Sequence, residues 1–141
     1  MSANSRMTVA IHVLSYMVFV ATKRPDPATS DQIASSVNTN PVVIRRLLGL
    51  LQKGGLVRSH RGANAGWTLA KDPGAITLLD IYNAVETGPL FGLHASKPNQ
   101  KCPVARGLPP ALRKIYATLE DELRQQLSGT TVEQVLADTI S

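Results

Sequence analysis

Residues 40–55 carry a complete set of start and stop signals for a helix, and no other stretch constrains the chain as strongly. Asn40 followed by Pro41 reads as an N-cap and first helical residue, because proline lacks an N–H at a position where the helix has no use for one. Ile44, Leu47, Leu48 and Leu51 then recur at helical spacing and form one apolar stripe. Lys53-Gly54-Gly55 closes the segment with a cation in the last turn and glycine beyond it. A helix of this kind must bury its stripe, which drives Val42, Arg45, Arg46 and Gly49 to the opposite face.

The flanking segments build a domain around it. Met7, Ala10, Ile11, Leu14, Met17, Val18 and Ala21 follow the i, i+3, i+4 pattern of an amphipathic helix that Pro25 and Pro27 forbid from continuing. A short helix is expected next, N-capped by Thr29 or Ser30, with Ile33, Ala34 and Val37 inward. Asn38-Thr39-Asn40 is the turn before the central helix. Beyond Gly55, residues 56–60 and 67–70 read as two short strands, joined across the turn-rich loop 61–66 into a hairpin. Thr77 with Asp80 is a capping box opening a helix through Leu78, Ile81, Tyr82 and Val85. Residues 87–110 hold five of the nine prolines and read as an irregular connector. Leu112, Ile115, Tyr116, Leu119, Leu123 and Leu127 then mark a long helix with a near-heptad seam, and Thr130 with Glu133 a second capping box. The order helix, helix, tight turn, helix, hairpin is that of a winged helix-turn-helix. The fold class expected is therefore mainly α with a small β-hairpin. The DNA-binding domain occupies 1–86, a connector and candidate sensor loop 87–110, and C-terminal helices at 111–141 pack on the same domain and pair with a second copy.

Composition narrows the class. With 141 residues, 43% hydrophobic and 18% charged, the chain can bury a core and is no disordered segment. Its net charge of +5 is uneven: residues 1–75 carry nine Lys/Arg against three Asp/Glu, and the remainder is close to neutral. A basic half joined to a neutral one fits a polyanion-binding module. The most apolar run, residues 9–21, is interrupted by His12 and Ser15 and is shorter than the roughly 20 residues a bilayer span needs. Thr22-Lys23-Arg24-Pro25 offers no signal cleavage site, so a cytoplasmic protein without membrane contact is expected. A single cysteine, Cys102, excludes an intrachain disulfide and an all-cysteine metal site within one chain.

These features converge on double-stranded DNA as partner. The segment from Thr39 through Asn40 to Val42 is short-chained and suited to close approach to base edges, and Arg45 and Arg46 have the fork that recognises guanine in the major groove. Arg58, His60 and Arg61 lie on the hairpin, where a wing meets phosphates or the minor groove. Paired arginines alone are more often a solvated helix face; the turn, the hairpin and the charge asymmetry favour DNA.

The stretches Asp31-Gln32-Ile33-Ala34, Asn40-Pro41-Val42-Val43-Ile44-Arg45-Arg46-Leu47-Leu48, Gly55-Leu56-Val57, Arg61-Gly62, Gly66-Trp67-Thr68-Leu69-Ala70 and Ile76-Thr77-Leu78-Leu79-Asp80-Ile81 resemble, in that order, the bacterial Rrf-two family. The resemblance runs over nearly the whole chain, including Cys102-Pro103-Val104. It implies a homodimeric winged-helix regulator of transcription, a repressor or an activator, paired through its long C-terminal helix. It also implies major-groove and wing roles for Asn40, Val42, Arg45, Arg46, Arg58 and Arg61. The best-known members hold an iron–sulfur cluster through three connector cysteines. Only Cys102 stands here, matching the last of the three, so no cluster or other cofactor is expected.

Two further readings attach to particular residues. Cys102 precedes Pro103, the candidate first residue of a short helix, with Lys97, Lys101 and Arg106 nearby, and these are features of a reactive thiol that make it a candidate sensor; the preferred reading is a small buried apolar residue, since free cysteine is commonly buried and inert. His94, eight residues before it, is a candidate sensor partner or a surface histidine. No third orienting group makes an enzyme of the pair, and no metal set is evident. The seam of Leu112, Ile115, Tyr116, Leu119, Leu123 and Leu127 is the candidate dimer interface. The function expected is a sequence-specific DNA-binding regulator, by preference a repressor on a pseudo-palindromic operator, its signal open among a small-molecule effector, oxidation and a partner protein. The alternatives are a winged-helix interaction module that reads no DNA and a thiol-based redox protein using Cys102.

Overall fold

The computed structural model describes residues 5–141. Among the described residues, six α-helices and one two-stranded sheet follow in the order α1 (Arg6–Ala21), α2 (Ser30–Val37), α3 (Pro41–Lys53), β1 (Val57–His60), β2 (Gly66–Leu69), α4 (Leu78–Val85), α5 (Pro103–Ser128) and α6 (Val132–Ile140). The chain divides into two compact units, one running up to Thr87 and resuming at Leu127–Ser141, the other Gly88–Gln126. The mainly helical winged-helix class expected from the sequence is the one observed.

The first unit is organised around α3. Ile44, Leu47, Leu48 and Leu51 are buried together with Leu14 and Val13 of α1, Ile33 of α2, and Ile81 and Val85 of α4 in one apolar cluster. Each such side chain contributes about 1.5–3 kcal/mol on burial, which outweighs the roughly 1 kcal/mol that Gly49 costs within a helix. The caps act where the sequence places them. Thr29 and Thr77 each accept from the N3 backbone N–H while Gln32 and Asp80 reach back, and Asn40 Oδ1 accepts from Val42 N–H at 2.8 Å. Arg6 donates to the Val85 carbonyl at 3.1 Å, satisfying an orphan acceptor at the end of α4.

Two details of this unit differ from the sequence pattern. Ala21 is exposed, whereas Val13 and Val20 are buried. The reason is that α1 packs against α2, α3, α4, α6 and β2, so its apolar residues are not confined to one stripe. The last helix is capped by Thr131 with Gln134, one residue later than Thr130 with Glu133. Thr130 is drawn into an extended pairing instead: its carbonyl accepts from Leu78 N–H at 2.9 Å, while Val132 N–H donates to Ile76.

In the second unit the irregular segment is shorter than its proline content implies. It ends at Cys102, and α5 begins at Pro103 and continues through Pro109 and Pro110. These prolines cannot donate to the carbonyls of Ala105 and Arg106. Arg106 and Pro110 are exposed and Ala105 is half-buried, so water can reach much of this turn and the helix bends its rules without breaking.

The hairpin pairs antiparallel with Val57 opposite Leu69 and His60 opposite Gly66. On its other edge β2 gains one bridge from Ala28, whose N–H and carbonyl exchange hydrogen bonds with Trp67 at 3.0 and 2.8 Å. Gly66 permits this approach. Its φ is +146°, and a Cβ there would lie 2.7 Å from the Ala28 carbonyl oxygen. Gly66→Ala is therefore expected to lower the unfolding free energy by about 1–3 kcal/mol in urea melts, whereas Gly62→Ala, which shares the backbone strain of a positive φ (+88°) but has open space around it, lacks the steric part and costs less. Equal midpoints for the two variants would contradict this account of the wing anchor.

Candidate nucleic-acid interface

Because α3 buries its leucine face, the opposite face is left to solvent. Val42 is 50% exposed, and Arg45 and Arg46 are exposed beside it. Gly49 has no heavy atom within 4 Å of where a Cβ would stand, so the same face stays low and open one turn further on. The N-terminal end of α3 is presented by the turn at Asn38, which is left-handed at φ 64° and whose N–H bonds back to the Ala34 carbonyl. Thr39 is half-buried and Asn40 exposed.

Asn40 does two jobs at once. One lone pair of Oδ1 is occupied by the Val42 N–H, which leaves its side-chain NH2 and a second acceptor site facing outward. Any contact it makes to a base is thus aimed by the cap.

The wing carries Arg58, His60 and Arg61, all exposed. His60 Nε2 lies 2.7 Å from Thr68 Oγ1 on the paired strand, which steadies the ring. The base of the wing is tied to α3 through Gln52, which donates to Ser59 Oγ at 3.3 Å, and its tip to the α1–α2 loop through Asn64 and Asp26 at 3.4 Å. α3 and the hairpin are consequently held by the same framework.

The tertiary structure adds residues that the sequence did not single out. Arg45, Ser59 and His60 line one concavity with Thr29, Ser30 and Asp31 at the N-terminus of α2. Thr29 was legible as a cap. Its proximity to Arg45 and the wing arises only from the folding of α2 onto α3. Thr29, Ser30 and Ser59 bring hydroxyls to this concavity, the Thr29 oxygen already accepting from Gln32 N–H, and Asp31 brings a carboxylate.

The other sequence candidates lie in the second unit or at its margin. His94 is exposed and lines a cavity of that unit; Cys102 is half-buried immediately before α5, with its carbonyl accepting from Arg106 N–H at 2.9 Å. The cavity lining includes His94 and not Cys102, so the structure does not assemble the two into one site. Of the expected seam, Leu112, Tyr116, Leu123 and Leu127 are half-buried, and the Tyr116 ring packs at a tilt of 44° against Phe91 of its own chain, 5.2 Å between ring centroids. Ile115 and Leu119 remain exposed, and the stripe they form continues through Leu108 and Val104. At 3.6 residues per turn these four lie within about 60° of one another, rotated from the half-buried set. No helix among the described residues is long and apolar enough to cross a membrane.

The family profile described as Rrf2, iron-dependent transcriptional regulator, matches residues 3–138. YwnA of Bacillus subtilis, assigned as an HTH-type transcriptional regulator, is 38% identical over 134 residues, covering 94% of this chain and 96% of YwnA. The HTH-type transcriptional regulator CymR of the same organism is 30% identical, covering 89% of this chain and 85% of CymR. The crystal structure of that CymR, called a global cysteine regulator, superposes with a TM-score of 0.62 over 92% of this chain and 94% of CymR, at 28% identity. IscR of T. potens shares the fold with a TM-score of 0.70 over 96% of this chain and 85% of its own, at 19% identity.

The iron in the family's description does not fit the donors present. The chain has one cysteine, and among the described residues no three His, Cys, Asp or Glu side chains gather where a metal ion could sit.

Asn40→Ala is expected to cost about 1 kcal/mol of stability through loss of the cap, and Asn40→Ser, which restores an oxygen acceptor, to recover most of it. Identical thermal melts for both variants and the wild type would show that Oδ1 does not hold the helix start.

Proposed function

Because the chain belongs to the Rrf2 family of transcriptional regulators, we propose that it acts as a homodimeric repressor that reads a pseudo-palindromic operator with Thr39, Asn40, Val42, Arg45 and Arg46 and clamps the flanking backbone with Arg58, His60 and Arg61. That it is a DNA-binding transcriptional regulator, and not an enzyme, follows from the family. The observation that carries the residue assignment is the division of α3 into a buried leucine face and an exposed arginine face contiguous with a basic wing.

In the mechanism, α3 enters the major groove and the arginine forks bond guanine edges, while the wing neutralises phosphates beside it. Phosphate contacts make the affinity fall steeply with salt. One domain of this size makes few base contacts, so two copies on two half-sites supply the remaining specificity. The exposure of Val104, Leu108, Ile115 and Leu119 on one stripe of α5, between 38% and 70%, supports this stripe as the seat of the second copy. Repression then follows from occupancy of promoter DNA in the cytoplasm. With one cysteine the protein works without an iron–sulfur cluster, and its signal is a small-molecule effector or a partner protein.

Arg45→Ala and Arg46→Ala are each expected to weaken binding to the operator, sought upstream of its own gene, by about 1–3 kcal/mol in fluorescence anisotropy, with unchanged helicity. Wild-type affinity in both would remove them as readers. Ile115→Lys combined with Leu119→Lys is expected to convert dimers to monomers in sedimentation and to lower operator affinity; a dimer that persists would relocate the interface.

A further inference from the structure

The half of the chain after residue 75 is near neutral overall, yet its charge is sharply sorted. From Thr87 to Leu119 there is no Asp or Glu, while Lys97, Lys101, Arg106, Arg113 and Lys114 all fall in this span. The fold gathers part of that charge into a cavity of about 290 Å³, lined by His94, Ser96, Lys97, Gln100, Arg106 and Arg113. No carboxylate lines it, and among the described residues none of its three cations is in an ion pair.

We propose that this cavity is a binding site for a compact polyanion, a small metabolite bearing two or more carboxylate or phosphate groups. Three observations support that ligand class. Lys97 approaches from the loop and Arg106 and Arg113 from α5, two turns apart on one face, so a ligand is met by cations from two sides. Such a concentration of uncompensated positive charge at a concave surface focuses the field and raises the local concentration of anions. The site is also preformed. Arg106 donates to the Gln100 carbonyl at 3.1 Å, Gln100 to the Pro98 carbonyl at 2.6 Å, and Lys101 N–H to Asn99 Oδ1 at 3.0 Å, so the loop is wound in place. Pro109 and Pro110 form a stiff wall on the helix side.

The size limits the ligand. A cavity of about 290 Å³ lies at the low end for small-molecule sites, which suits a molecule of citrate or pyrophosphate dimensions. Arg106 spends one donor on Gln100 and is thereby aimed; Arg113 and Lys97 carry their full donor sets to the ligand. The proposal does not rest on operator binding, and its readout is independent of DNA.

The test is calorimetric titration of citrate and, separately, pyrophosphate into the full-length protein at low ionic strength. The wild type and the Arg45→Ala/Arg46→Ala variant should bind at least one probe saturably, one per chain. Lys97→Gln combined with Arg113→Gln, with circular dichroism confirming the fold, should lose about tenfold or more in affinity. Citrate binding without pyrophosphate binding, or the reverse, assigns the carboxylate or the phosphate class. Three results would overturn the site: no saturable heat with either probe, equal affinity in the cavity variant, or loss of binding in the Arg45/Arg46 variant. A cavity variant that lost only DNA affinity, with both probes silent, would assign these cations to the DNA backbone instead.

Discussion

The burial of Ile44, Leu47, Leu48 and Leu51 against α1, α2 and α4 is the contact on which the rest of the molecule depends. It fixes the rotation of α3 about its own axis. A rotation by one residue would expose a leucine and bury an arginine, and an unpaired buried guanidinium costs several kcal/mol. The outward direction of Arg45 and Arg46 is therefore a consequence of core packing, and the exposed face of α3 is backed by the core beneath it. Asn40 sets the start of the same helix, so the groups at its tip are placed by a cap and those along its flank by the core.

The wing depends on a second, smaller constraint. A two-stranded ribbon is marginal in water by itself. Here the backbone of Ala28 adds a rung against Trp67, Gly66 allows the close approach, and Gln52 and Asn64 tether the base and the tip. Arg58, His60 and Arg61 are thereby carried on a hairpin tied to α3. Residues 88–126 follow a different economy, with a long helix that buries none of its residues fully and a cation-rich loop wound against its first turns. Such a unit has surface to spare for a second copy and for a ligand.

Much of the fold was legible in the sequence because local signals and burial pattern agree there. Asn40-Pro41, Thr29 with Gln32, and Thr77 with Asp80 are caps whose donors and acceptors lie within three residues, so no tertiary information is needed to recognise them. The class of the molecule and the arginine face of α3 followed. Misreadings arose where one local signal competed with another, or where packing came from several sides. Thr130 and Thr131 both offer a cap, and only the pairing of Thr130 with Leu78 decides between them. Val13 is buried off the expected stripe because α1 is central. Pro109 and Pro110 read as a break and yet lie inside α5.

The sequence alone determined the winged-helix order of elements, the split of α3 into apolar and basic faces, and the lack of a cysteine set for an iron–sulfur cluster. Each of these follows from spacing, chirality or composition, which are properties of the chain before it folds. Only the tertiary structure decided that Thr29, Ser30 and Asp31 share a concavity with Arg45 and His60, that the Tyr116 ring packs against Phe91, and that Lys97, Arg106 and Arg113 converge. These are juxtapositions of residues far apart along the chain or on different elements. Their distances are set by how helices pack and loops close, which no local pattern encodes.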